Sequence, residues 1–242
     1  MIRLIRGESY RLCHKKSIYI YLAALTLGYI LLAFIRAPGF TDQSVVTDAD
    51  NLFMLAPALL GGIIFSTIYL DDLRANSLLT LIGSGLGRTR IVAAKFLLTT
   101  FVSTLTFGLL PLLHGVLYWI LGGSVTAARL GAVYLIAFKY LLITLGYIAL
   151  SSAIVYATRR PSLALAGYML LAFTVIGSLL LLLTHNLGLN IAQYLLTGIT
   201  VRITDAVQRG TLPYAALLEY LALIIGSSVL AVIALDKKEV EF

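Results

Sequence analysis

Charge is scarce in this chain. Of its 242 residues only 12% are Asp, Glu, Lys or Arg, while 60% are hydrophobic. A soluble domain carries about 25% charged residues. The shortfall excludes a globule in water, because one core of this size cannot hide so much apolar surface, and lipid is the expected solvent. Cysteine is nearly missing as well: Cys13 stands alone, so no internal disulfide can form. The three histidines, His14, His114 and His185, are scattered and with one cysteine offer no metal-ligand spacing. The apolar stretches hold no H-E-x-x-H, no Ser–His pair suited to a protease and few carboxylates. Those absences speak against an intramembrane protease and against metal or carboxylate chemistry. No catalytic residue, metal or cofactor is expected on the chain itself.

Acidic residues are the rarer sign, 11 against 18 Lys and Arg, for a formal net charge of +7. The basic residues flank apolar runs rather than forming a solvated patch, which fits a membrane surface and not nucleic acid.

What is plentiful is long apolar sequence. About 20 residues of helix cross a bilayer, and six runs qualify: 18–35, 51–70, 91–121, 130–158, 162–184 and 214–235. The first is too long for a signal-peptide core, and Arg36-Ala37-Pro38-Gly39 is a poor cleavage site, so it reads as a retained span. The third and fourth exceed what a bilayer needs, and Pro111 lies inside the third; tilting, kinking or protrusion is expected there. The predicted fold is an all-α membrane protein of six transmembrane helices forming one domain.

Lys and Arg set the orientation. With the N-terminus inside, the cytoplasmic side receives Arg3, Arg6, Arg11, Lys15, Lys16, Arg74, Arg88, Arg90, Lys95, Arg159, Arg160, Lys237 and Lys238, and the outer side only Arg36, Arg129, Arg202 and Arg209. Both termini are expected to be cytoplasmic.

The segments between the spans differ in character. Residues 1–17 place Ile2, Ile5, Leu12 and Cys13 on one helical face, with Arg3, Arg11, His14 and Lys15 opposite. That pattern suits a helix lying in the inner interface, or simply the positive flank that orients the first span. Residues 36–50 read as a solvated outer connection. Residues 185–213 are too polar to cross and apolar enough to dip back, which predicts a re-entrant or interfacial helix pair. Residues 71–90 form a cytoplasmic segment in which Leu73, Leu78, Leu81 and Ile82 recur at helical spacing behind Asp71 and Asp72. This leucine stripe needs cover, either from a partner or from the protein's own helix ends.

The segment ends in Gly83-Ser84-Gly85-Leu86-Gly87-Arg88-Thr89. A phosphate-binding P-loop requires G-x-x-x-x-G-K-[ST], and a dinucleotide fold requires G-x-G-x-x-G after a strand. Neither spacing is present, and transmembrane runs lie on both sides. The glycines suit a sharp reversal before the third span, with Arg88, Arg90 and Lys95 at headgroup level.

The order of these features resembles the membrane subunit of an ABC-2 type transporter. "MIRLIRGESYRLCHKKSIYI" is similar to that family's elbow helix running into span one, "YLDDLRANSLLTLIGSGLGRTRIVAAKFL" to its intracellular loop, and "ALDKKEVEF" to its charged tail. Where the family has a Gly-Thr-Leu-like step this chain has Ala75-Asn76-Ser77-Leu78, and Gly87 stands where proline is usual. The short length, without a large outer domain, is similar to the branch that exports or confers immunity to antimicrobial peptides. The resemblance implies a permease in a bacterial cell membrane with no hydrolytic site of its own. Its partners would be separate ABC ATPase subunits, which bind ATP and Mg, and a second permease chain, identical or paralogous. It also implies a coupling helix around residues 71–83. Asp71, Asp72, Leu73, Arg74, Asn76, Ser77, Leu78, Leu81, Ile82 and Arg88 would meet the ATPase, and the elbow helix (Ile2, Arg3, Ile5, Arg6, Arg11, Leu12) would lie beside them. A peptide or other amphiphile would be the cargo.

Two ionisable residues fall within the spans, Lys139 and Glu219. They lie about 13 Å and about 8 Å from the outer ends of their helices at 1.5 Å per residue, close enough in depth to pair. They read as a polar patch in a transport path, as a structural ion pair, or as side chains snorkelling independently. A secondary transporter or channel built on them is the alternative to the ATP-driven reading. His114 reads as a satisfied helix-contact residue.

Overall fold

The computed structural model describes residues 7, 10–12, 14–36, 44–74, 87–124, 126–186 and 192–237, and these contain helix and no strand. The helices are α1 (Lys16–Arg36), α2 (Val45–Phe53), α3 (Ala56–Phe65), α4 (Asp71–Arg74), α5 (Arg88–Ile120), α6 (Ala127–Thr158), α7 (Pro161–Ala172), α8 (Val175–Asn186), α9 (Leu196–Gln208) and α10 (Tyr214–Lys237). A π-helical turn, Ser66–Leu70, joins α3 to α4, and a 3-10 turn, Ala192–Tyr194, precedes α9. Below, the basal end of the bundle is the one where α1 and α5 begin, and the distal end is the opposite one.

Three helices, α5, α6 and α10, are each long and apolar enough to cross a membrane; two bent pairs, α2 with α3 and α7 with α8, raise the number to five if each pair is one span. The chain is thus a multi-pass membrane protein by the length and apolarity of its helices. α6 is the central pillar. It packs against α2, α3, α5, α7, α9 and α10, and its buried side includes Ile143, Tyr147, Ile148, Val155 and Tyr156. α5 and α10 instead expose long apolar rows, among them Phe101, Leu105 and Leu109 on one and Leu218, Leu221 and Ile225 on the other, as lipid-facing helices do.

The second apolar run departs from the expected single span. Helix already begins at Val45, inside the stretch read as a solvated connection, and it breaks at Met54–Leu55 with a bend of 43°. Pro57 explains the break. It has no N–H to give the Phe53 carbonyl, and its ring obstructs that turn, while the first turn of a new helix accepts it readily. α2 survives as a short amphipathic helix because Val45, Ala49 and Phe53 fall on one face and bury there. In contrast, α5 runs unbroken through Pro111.

The fifth run is also two helices, bent by 61° between Ala172 and Val175. Thr174 at this corner has φ 57°, a left-handed conformation that strains a β-branched residue. Thr174→Gly is expected to keep the bend and raise stability by about 1 kcal/mol, read as a higher melting temperature in detergent. In the 185–213 stretch the helix pair is replaced, among the described residues, by a 3-10 turn and α9. α9 buries Leu196, Ile199 and Ile203 against α6 and α10. Gly146 of α6 makes this possible: a Cβ there would meet Leu196 Cδ1 at 2.6 Å.

Candidate functional site

At the basal end the N-terminal segment turns before α1. His14 Nδ1–H donates to the Tyr10 carbonyl at 2.9 Å, Tyr10 is exposed and Leu12 is buried in the core. An ion pair from Lys15 to Asp71 then ties this turn to the first residue of α4. A second pair, Arg88 Nε to Asp236 Oδ1 at 2.9 Å, ties the start of α5 to the end of α10. The two pairs bracket residues 75–86. Of the residues assigned to ATPase coupling, Asp71 and Arg88 hold these pairs. Leu73 is half-buried and packs onto the protein's own core, so it leaves the leucine stripe expected to face a partner. Asp72 and Arg74 lie in α4. Asn76, Ser77, Leu78, Leu81 and Ile82 lie outside the described residues, as do Ile2, Arg3, Ile5 and Arg6 of the N-terminal segment. Arg11 is half-buried beside Leu12.

The π turn above α4 is a site that the sequence reading missed. The Asp71 N–H bonds to the Ser66 carbonyl five residues back, and this wider turn releases carbonyls from the usual ladder. Ser66 Oγ and Thr67 Oγ1 both donate to the Ile63 carbonyl, at 3.0 and 2.8 Å. The Lys95 ammonium donates to the Ile68 carbonyl at 3.2 Å. Lys95 was expected at headgroup level. It is instead only 2% exposed, because the opened turn offers it an acceptor inside the bundle.

At the distal end Lys139 and Glu219 do not meet. Lys139 Nζ lies 2.6 Å from Asp50 Oδ1, the same oxygen that the Tyr140 hydroxyl reaches at 3.0 Å, and the ammonium sits 4.5 Å from the Tyr140 ring centre. Glu219 pairs with Arg202 of α9, which also donates to the Gln193 carbonyl at 2.9 Å. Of the readings left open for these two residues, an ion pair between them is not formed, because Asp50 of α2 and Arg202 of α9 supply each with a nearer partner. Each carboxylate is part-exposed, so these pairs register α2 on α6 and α9 on α10 more than they add stability.

His114 is a helix-contact residue whose tautomer follows from its partners. The Val45 carbonyl can only accept, so Nε2 carries the proton toward it at 3.1 Å. Nδ1 then accepts from the Tyr29 hydroxyl at 2.6 Å. One imidazole thereby joins α1, α2 and α5.

Beside this clip lies an open apolar groove of about 690 Å³ between α1, α3 and α5 and the end of α2, lined by residues including Gly28, Tyr29, Leu52, Phe53, Leu105 and Leu109. It is open to the surroundings along Leu55, Leu59, Leu105, Leu109, Leu112 and Val116, which are 42–56% exposed. Water lacks the polar partners it needs there. Hydrocarbon is the filling the walls accept.

Comparison of the chain with family models, with curated proteins and with solved structures found no match.

Proposed function

We propose that this chain is the membrane subunit of an ATP-driven exporter of the ABC-2 type. It would couple a separate ATPase to the efflux of a peptide or other amphiphile. The observation that carries the reading is the bracketing of residues 75–86 by the Lys15–Asp71 and Arg88–Asp236 pairs. A push on that segment reaches α1, α3, α5 and α10 together.

In this reading six spans cross a bacterial cell membrane, formed by α1, α2 with α3, α5, α6, α7 with α8, and α10. Both termini and residues 75–86 face the cytoplasm. Leu78, Leu81 and Ile82 seat in a groove of the ATPase, with Asp72, Arg74, Asn76 and Ser77 around them. The elbow assigned to residues 1–17 has Ile2, Ile5 and Leu12 turned to apolar surroundings and Arg3 and Arg6 to headgroups. Two ATPase subunits binding ATP and Mg close on each other and move these segments. Two permease chains, identical or paralogous, rock between two packed arrangements, the differential binding of the closed ATPase pair supplying the bias. A secondary transporter built on Lys139 and Glu219 gains nothing from the geometry, since each is engaged by a different neighbour.

Co-expression with the ATPase from the neighbouring reading frame tests the proposal. The wild-type chain is expected to carry that ATPase through purification in detergent, and Leu78→Asp to insert normally but lose it. Equal recovery from both would sink this reading.

A further inference from the structure

One helical turn at the basal end is held away from its default register. Helices close i→i+4 bonds, and i→i+5 turns are rare. Ser66–Leu70 is such a turn, set between α3 and α4. Its residues weaken the ordinary ladder. Thr67 and Ile68 are β-branched and poor helix formers. The Ser66 and Thr67 hydroxyls both donate to the Ile63 carbonyl, a back-bonding that bends and loosens a helix. Closing the turn to i→i+4 would withdraw one residue from it. α4 would then rotate by about 100° and advance by about 1.5 Å, one residue of α-helix, and Asp71 would swing away from Lys15.

What opposes that closure comes from α5. The Lys95 ammonium donates to the Ile68 carbonyl at 3.2 Å from a position that is 2% exposed. Closing the turn carries the carbonyl round with the helix and takes this acceptor from an ammonium shielded from water, which is costly. The lysine is itself anchored. It lies two helical turns beyond Arg88 on the same face of α5, and Arg88 ties α5 to α10 through Asp236. The Arg88–Asp236 pair, the Lys95–Ile68 bond and the Lys15–Asp71 pair therefore link α10, α5, α4 and α1 in series.

We infer that Lys95 is a positioning residue: its ammonium latches the Ser66–Leu70 turn in the π register and so sets the rotation of α4 about its own axis. That residues 75–86, which follow α4, meet an ATPase rests on the permease reading. The latch does not, and it is measured on the purified full chain without any ATPase.

Two cysteine pairs in a Cys13→Ser background report on the latch, each joined by a short bis-maleimide on protein in lipid nanodiscs. Lys15→Cys with Asp71→Cys reads the rotation of α4. Arg88→Cys with Asp236→Cys reads the integrity of the basal end. Losing one charge-assisted bond shifts the register equilibrium about tenfold. Lys95→Met is therefore expected to slow cross-linking of the first pair about threefold or more and to leave the second pair unchanged. Deleting Ser66, the one residue of the turn that is not buried, gives the turn its α register while returning α4 to its present rotation. In the Lys95→Met background this deletion is expected to restore cross-linking of the first pair, a rescue that a merely structural lysine would not show. Deleting Thr67 is the second such variant should the first fail to assemble, as the Arg88→Cys/Asp236→Cys pair would reveal. An unchanged first pair in Lys95→Met would mean that Tyr69 fixes the register without the lysine, through its packing on Phe65 and Tyr156 at ring-centre distances of 5.5 and 6.3 Å. Equal slowing of both pairs would mean that Lys95 only supports the fold. Slowing that neither deletion reverses would mean that α4 loosens and does not rotate. Each of these three outcomes overturns the inference, whether or not an ATPase is later found to bind.

Discussion

Gly61→Leu is expected to prevent the bundle from closing, while Gly62→Ala, one residue on, is tolerated. A Cβ on Gly61 would strike the Tyr168 hydroxyl and sit 2.8 Å from Thr144 Cγ2. Tyr168 has no room to retreat. It is fully buried, its hydroxyl donates to the Pro57 carbonyl, and its ring stacks on Phe65 with centres 4.9 Å apart. Forcing it aside adds overpacking of about 1–3 kcal/mol to an orphaned buried carbonyl at about 1–3 kcal/mol. A leucine, with three carbons more than a Cβ, exceeds that sum. At Gly62 the added atom meets Met169 Cε at 2.9 Å, the free end of a flexible side chain. Size-exclusion profiles in detergent should show aggregate for Gly61→Leu and a single species for Gly62→Ala. The contrast tests whether α3, α6 and α7 meet at Gly61.

Lys95 predicts a second large effect whose sign depends on chemistry rather than size. Lys95→Glu would aim a carboxylate at the Ile68 carbonyl, two acceptors facing each other in a site that is 2% exposed. Such a mismatch costs about 3–5 kcal/mol, enough to remove most folded protein. Lys95→Met keeps the length and discards the charge, and the loss of the bond to the Ile68 carbonyl costs about 1–2 kcal/mol. Thermal unfolding should therefore order the three as wild type, then Met, then Glu, with the last step the larger. If Glu were as stable as Met, the ammonium would not reside in the π turn.

Much of the helical plan was legible in the sequence, because hydropathy reads length and apolarity directly. α5, α6 and α10 fall within a few residues of the expected runs. Direction changes within a run were harder to see. Pro57 carried a signal for the break after α2, since proline favours a first helical turn, but the run 51–70 was read as a single span. Thr174 announced nothing, because a β-branched residue is not a type that signals a left-handed corner. The polar partners were hidden for a related reason. Once residues 36–50 were read as a solvated connection, Asp50 was not available to Lys139, and once residues 185–213 were read as dipping segments, Arg202 was not available to Glu219. The acceptor for Lys95 is a backbone carbonyl freed by a π turn, which no residue type signals. His114 was legible as a satisfied contact residue, although its partners Tyr29 and Val45 were not.

The account depends most on residues 75–86 facing the compartment that holds ATP. Its one native cysteine, Cys13, makes the measurement simple. In a Cys13→Ser background, Ser84→Cys and Thr211→Cys place a single thiol in that segment and in the exposed turn between α9 and α10. A membrane-impermeant maleimide applied to intact cells is expected to label Thr211→Cys at once and Ser84→Cys only after permeabilisation. Labelling of Ser84→Cys in intact cells, with Thr211→Cys protected, would put the segment beyond the reach of any cytoplasmic ATPase and contradict the account.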